Sequence, residues 1–245
     1  MKQCVWGLLL LTMSGAALAA ETILFADFSN KPLNQPIGTG GAGVGEPVDV
    51  SSLIEALVRA APGGGRELEL FKEPSFGTAS TRFRFLNAQE VTEGQLRAGV
   101  ALRLGTADQF SRVSVLMREA PGSAQSFLNL DLSSDGEVQI RRSGFPALRF
   151  SDAAVLSAIN RIEILYDLDE KRLSMCVNGA LLVSDLDAGI QTERGIGSVL
   201  LSLPAAGETL IWLDSIEVKK GPFENGDGDR LFADRFESGL PACPF

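Results

Sequence analysis

The 245-residue chain contains no histidine. A Ser-His-Asp triad, a Cys-His dyad, His-ligated zinc and an imidazole general base are therefore excluded. Paired carboxylates, oxygen-ligated calcium and plain binding remain open. Tyrosine occurs once, at Tyr166, and tryptophan twice, at Trp6 and Trp212. Saccharide platforms built on exposed aromatic faces thus have little to draw on. Period-2 alternation groups Trp212 with Leu210 and Ile216 as a core residue. Bases are also scarce, 22 against 31 acids, so the field of the whole molecule opposes nucleic acid and anionic lipid.

What is present is a globular composition, 45% hydrophobic and 22% charged. Residues 1–20 have the order of a secretory signal peptide. Lys2 precedes an apolar run from Val5 to Met13, and Ala17-Leu18-Ala19 or Leu18-Ala19-Ala20 supplies the small-residue cleavage pattern. A retained N-terminal anchor is the competing reading, but the run is short for a span. No other stretch approaches the ~18 apolar residues that a span needs. The mature chain is expected to be secreted or periplasmic, without a transmembrane segment. Loss of Lys2 leaves 21 bases against 31 acids, a net charge of −10. Cleavage also removes Cys4 and leaves Cys176 and Cys243. An oxidising compartment allows these two to pair, with two free thiols as the alternative.

Strand patterns dominate the rest. Leu96, Ala98, Val100, Leu102 and Leu104 alternate with Arg97 and Arg103, and Phe83 and Phe85 alternate with Arg82 and Arg84. Leu128, Leu130 and Leu132 stand opposite Asn129 and Asp131, and the runs 161–167 and 173–177 continue the rhythm. Ser134-Asp135-Gly136, Asp167 to Glu170 and Asn178-Gly179 are turn sequences between such runs, and Pro204 to Gly207 separates two more. The exception is Val50 to Ala61, where Leu53, Ile54, Leu57 and Val58 have helical spacing, Ser51 or Ser52 can cap, and Pro62-Gly63 can stop. These patterns predict an all-β protein, a two-sheet antiparallel sandwich with one short helix. The domain is expected over 21–221, with an acidic tail over 222–245.

Phe25-Ala26-Asp27-Phe28, the run from Ile162 to Asp167 with the hairpin from Leu173 to Val183, and Ile211 to Val218 resemble strands of concanavalin-A-like lectin/glucanase domains, including the laminin-G-like group. The resemblance spans about residues 22–220 and implies a jelly roll with a curved face. It implies no particular activity, because this fold hosts lectins, hydrolases, lyases and adhesion modules.

Glycoside hydrolysis requires two carboxylates at a fixed separation. The Glu-x-Asp-x-x-Glu strand of catalytic relatives is missing. In a regular strand Asp214 and Glu217 point to opposite faces. Glu163 and Asp167 share a face but are separated by apolar Leu165, and read as a solvated strand position and a turn acid. Tyr166 is expected to face the core with its hydroxyl at the rim. The remaining polar positions, Arg97, Arg103, Arg112, Asn129, Asp131, Gln139 and Arg141, would floor one groove for hydroxyls or an acidic group if their strands are neighbours. An ordinary solvated sheet face is the alternative.

The glycine-rich run from Gly38 to Gly45 lacks a following Lys-Ser/Thr and reads as a loop. Asn225, Asp227 and Asp229 have the spacing of the first ligands of a calcium loop, but Arg230 stands where Gly is wanted and Glu237 falls one residue late. No cofactor is expected, and calcium is the one alternative these residues leave open. Leu231 to Ser238 partly repeats Leu24 to Ser29, as a sorting or docking peptide or as an edge strand. Taken together, the residues favour an exported, non-catalytic module that binds a saccharide or an extracellular protein. The alternatives are a polysaccharide hydrolase or lyase on the same fold, and a structural envelope or matrix protein.

Overall fold

The protein is described from a computed structural model. The structure describes residues 20–38, 49–74, 77–105, 112–118, 126–133, 135–142, 144–155, 157–189, 195–205, 207–223 and 243, with backbone alone for 112–118 and 126–127. The N-terminal residues 1–19, where a signal peptide is expected, the glycine-rich run from 39 onward and the tail residues 224–242 lie outside them.

The strands in chain order are β1 (Glu21–Ala26), β2 (Asp49–Val50), β3 (Glu55–Ala60), β4 (Arg66–Lys72), β5 (Ala79–Arg84), β6 (Gln95–Leu104), β7 (Arg112–Arg118), β8 (Ser126–Ser133), β9 (Val138–Arg142), β10 (Leu148–Phe150), β11 (Ile159–Asp167), β12 (Arg172–Val177), β13 (Ala180–Asp187), β14 (Ser198–Leu203) and β15 (Thr209–Gly221). They form two antiparallel sheets. Sheet I has the order β13-β12-β11-β6-β15-β4-β3, with β1 also on β15, and sheet II has the order β10-β9-β8-β7-β14-β5-β2. This is a jelly-roll sandwich, and no α-helix occurs among the described residues.

The expected alternation holds in both layers. Leu96, Ala98, Val100, Leu102 and Leu104 from β6 meet Ile162, Ile164, Leu173 and Met175 in one core with Leu128, Leu130, Leu132, Val138, Ile140, Phe83 and Phe85 from sheet II. Fully burying one such side chain contributes about 1.5–3 kcal/mol. The two layers need each other, because each sheet has only one apolar face to bury. The Asn178-Gly179 hairpin forms with both residues at positive φ, 52° and 78°, the conformation a two-residue turn demands.

The predicted helix over Val50 to Ala61 is replaced by β2, a turn at 52–53 and β3. Ser51 caps only that turn, accepting from Leu53 N at 3.4 Å on Oγ and from Ile54 N at 2.9 Å on its carbonyl. Beyond it, Ile54, Ala56 and Val58 are buried at period 2, whereas Leu53 is 43% exposed. Six cross-strand pairs with β4 outweigh a helical stripe that had no apolar partner to cover it.

Candidate functional site

Each sheet has an outer face, away from the core, and the polar candidates divide between them. Arg97 and Arg103 stand on β6 in sheet I, and Asn129, Asp131, Gln139 and Arg141 stand on β8 and β9 in sheet II. The seven residues therefore do not share one groove. Arg112 belongs to β7 of sheet II, in register with Ser133, and its side chain is outside the described set. The candidate calcium ligands Asn225, Asp227 and Asp229 also lie outside the described residues.

The outer face of sheet I is charged, half-buried and internally paired. Arg103 Nη2 donates to Glu67 Oε1 at 2.6 Å, with its guanidinium 3.7 Å from the centre of the Trp212 ring. Trp212 Nε1 donates to Glu69 Oε2 at 3.0 Å, and Arg59 Nε meets Glu69 Oε1 at 2.9 Å. Arg97 and Glu163 approach to 3.5 Å, and Lys219 and Glu217 to 3.8 Å. Burial pushes the carboxyls of Glu67, Glu163 and Asp214 above their usual range, against the pull of Arg103, Arg97 and the Ser215 hydroxyl respectively. Glu163 is accordingly a paired, half-buried acid rather than a solvated one.

Two expectations fail here for one reason. Pairing of β15 with β6 shifts register between Leu213 and Ser215, a bulge at Asp214 that inserts one residue and reverses the alternation beyond it. Ile211, Leu213, Ile216 and Val218 all reach the core. Trp212 is thereby moved out of the core onto the charged face. Asp214 and Glu217 come to the same side, where Asp214 feels Arg161 and Glu67.

Cys176, buried on this face of β12, is bonded to Cys243 with a Cα–Cα distance of 6.0 Å, the pairing expected in an oxidising compartment. At one end of sheet I a cleft of about 630 Å³ is lined by Glu21, Glu93, Gln95, Asp167, Asp169 and Lys220. Its polar groups are largely engaged with one another, through Gln95 to Asp167 at 3.0 Å and Gly94 N to Asp169 at 3.0 Å.

The outer face of sheet II is organised differently. Its central row runs Arg82 (β5), Leu200 (β14), Leu116 (β7), Asn129 (β8) and Arg141 (β9), four strand steps or roughly 19 Å across. The flanking row carries Ser80, Ser202, Ser114, Asp131, Gln139 and Arg149. Several residues of this face are buried. Ser198 is 2% exposed, and Leu200, Asp131 and Gln139 are each 4% exposed, although none of them faces the core. Arg141, more open at the edge, meets Asp131 Oδ2 at 2.8 Å and donates to Gln139 at 3.3 Å. Gln139 in turn donates to Glu137, which lies 3.5 Å from Arg149.

On this face Arg82 Nε, Arg84 Nε, Asn129 Oδ1 and Ser198 Oγ are buried without a described partner, as is Arg103 Nε on sheet I. Water or a ligand normally satisfies such atoms. Arg82 and Arg84 are the site residues that sequence reasoning passed over. Their alternation with Phe83 and Phe85 was the available signal. Tyr166, by contrast, is core-facing as expected. Its hydroxyl is buried without a partner rather than at a rim, and burial, then Asp187, pushes its ionisation far up.

No protein-family model and no characterised relative matches the sequence. Among solved structures, the catalytic domain of a glycoside hydrolase family 131 protein from Coprinopsis cinerea is similar with a TM-score of 0.58 and 12% identity, over 85% of this chain and 98% of that one. The cellulose-induced protein Cip1 gives a TM-score of 0.54 at 15% identity over 80% and 96%. Alginate lyase A1-II′ gives 0.52 at 11% over 80% and 96%. At these identities the shared property is the jelly-roll fold.

Proposed function

We propose that the protein is an exported, non-catalytic module that binds a saccharide along the outer face of sheet II. The observation that carries this reading is the set of buried, partnerless polar atoms on that face, beside the buried Asp131 and Gln139. Amide, hydroxyl and guanidinium groups held by neighbouring strands suit a chain of sugar hydroxyls. A disulfide that needs an oxidising compartment supports export. Similar jelly-roll structures noted above include a glycoside hydrolase domain and an alginate lyase, and fold likeness alone assigns no activity.

Catalysis is the weaker reading. The chain has no histidine, its one tyrosine is locked in the core, and Asp131 is held by Arg141. Glycan-array binding followed by titration of Asn129→Ala and Gln139→Ala tests the proposal. Wild type should retain a polysaccharide, and each variant should bind about tenfold more weakly with an unchanged melting temperature, as for loss of one or two hydrogen bonds. Release of reducing ends or unsaturated products would establish the hydrolase or lyase instead. Absence of any glycan ligand would shift the role to a protein partner or a structural one.

A further inference from the structure

We infer that the ligand of this face is an acidic polysaccharide, a polyuronate, whose carboxylates are read by Arg82 and Arg84 of β5. The inference rests on the saccharide-binding reading and adds the chemical class.

Arg82 and Arg84 differ from four other arginines on the outer faces of the two sheets. Arg59, Arg97, Arg103 and Arg141 each have a carboxylate within 4.0 Å. Neither Arg82 nor Arg84 has one among the described residues, and the Nε of each is buried without a hydrogen-bond partner. In a protein of net charge −9, acids to pair with are plentiful, so two adjacent arginines without one stand out. Holding a guanidinium partly out of water without an anion costs free energy, which an incoming carboxylate recovers.

Their placement fits a repeating anion. Residues two apart on a strand share a face and are separated by roughly 6.5–7 Å along it. Each planar fork can take a carboxylate through two parallel N–H bonds. The acids of this face do not fill the role. Asp131 is engaged by Arg141, and Glu137 by Gln139 and Arg149. Asp49, opposite Arg82 in register, is exposed and makes no ion pair with it. Ser198 is next to Arg84 across the strands. A polyuronate carries one carboxylate per sugar and would present hydroxyls to the Asn129 and Gln139 side of this face.

Isothermal titration of the mature protein with oligomers of galacturonate, mannuronate and guluronate, and with their carboxyl-reduced neutral forms, tests the inference. At least one acidic series should bind roughly tenfold or more tightly than its neutral form, the equivalent of one charge-assisted hydrogen bond, and should weaken with added salt. Arg82→Ala and Arg84→Ala should each remove about that factor, Arg→Lys should restore only part of it, and all should melt near wild type. Equal binding of acidic and neutral forms, or a double variant that binds uronate like wild type, overturns the inference. If neutral glycans bind and uronates do not, the class is wrong while saccharide binding stands. If neither binds, both readings fall.

Discussion

Removing Cys243 is the most quantitative perturbation of the fold. The Cys176–Cys243 bond links positions 67 apart in sequence, and closing a loop of that size in the unfolded chain contributes about 4 kcal/mol in the chain-entropy treatment. For a domain of this length ~1 kcal/mol corresponds to roughly 2–4 °C, so the melting temperature of Cys243→Ser should fall by about 8–16 °C. Cys243 is the residue to change, because Cys176 is fully buried between neighbouring strands and a hydroxyl there would add its own desolvation cost. Thermal unfolding followed by circular dichroism, with and without reductant, separates the contributions. Oxidised wild type should melt highest, and reduced wild type should melt with the variant. The reasoning is refuted if the variant melts within about 2 °C of oxidised wild type, or if reductant lowers the variant further.

Three further outcomes follow from the same geometry. Tyr166→Phe should leave stability unchanged or raise it by about 1 kcal/mol, because it removes a buried hydroxyl that has no partner; denaturant titration checks this. Asn178→Ala should cost about 2–3 kcal/mol in the same assay. The residue sits at φ 52°, and its side chain accepts from Arg161 N at 3.0 Å and donates to Asn160 at 3.0 Å. Asp214→Asn bears on pH. Burial raises the Asp214 pKa above 3.8, so the folded state holds the proton more tightly than the unfolded chain, and wild-type stability falls as pH rises from 3.8 through the folded value. The asparagine variant escapes that loss. It should melt higher than wild type at neutral pH, with the difference closing on acidification to pH 3.8, and a difference that widens toward acid would contradict the sign.

The layers of the fold were legible because period-2 alternation has one physical cause, burial on one side of a pleat, and β5, β6, β8 and β11 obey it without interruption. Failures came where a local signal lost to pairing or where one residue was inserted. Leu53, Ile54, Leu57 and Val58 read as a helical stripe until β4 supplied a partner strand. Trp212 was misplaced because nothing near Asp214 announces a bulge, and a single extra residue turned an assumed core tryptophan into part of a charged network. The site was half legible. Asn129, Asp131, Gln139 and Arg141 do converge, but strand neighbours are set by the topology of the whole chain, and that sent Arg97 and Arg103 to the opposite layer. It also brought Arg82, some 50 residues earlier in sequence, into the row of Asn129 and Arg141, with Arg84 two residues further along the same strand.

The most direct test of the account is amide shift mapping by nuclear magnetic resonance during titration with a uronate oligosaccharide. The account predicts perturbations concentrated at Arg82, Arg84, Asn129, Gln139 and Arg141, with the Trp212 indole unmoved. Perturbations concentrated at Trp212, Arg103 and Glu163, on the outer face of the other sheet, would contradict it.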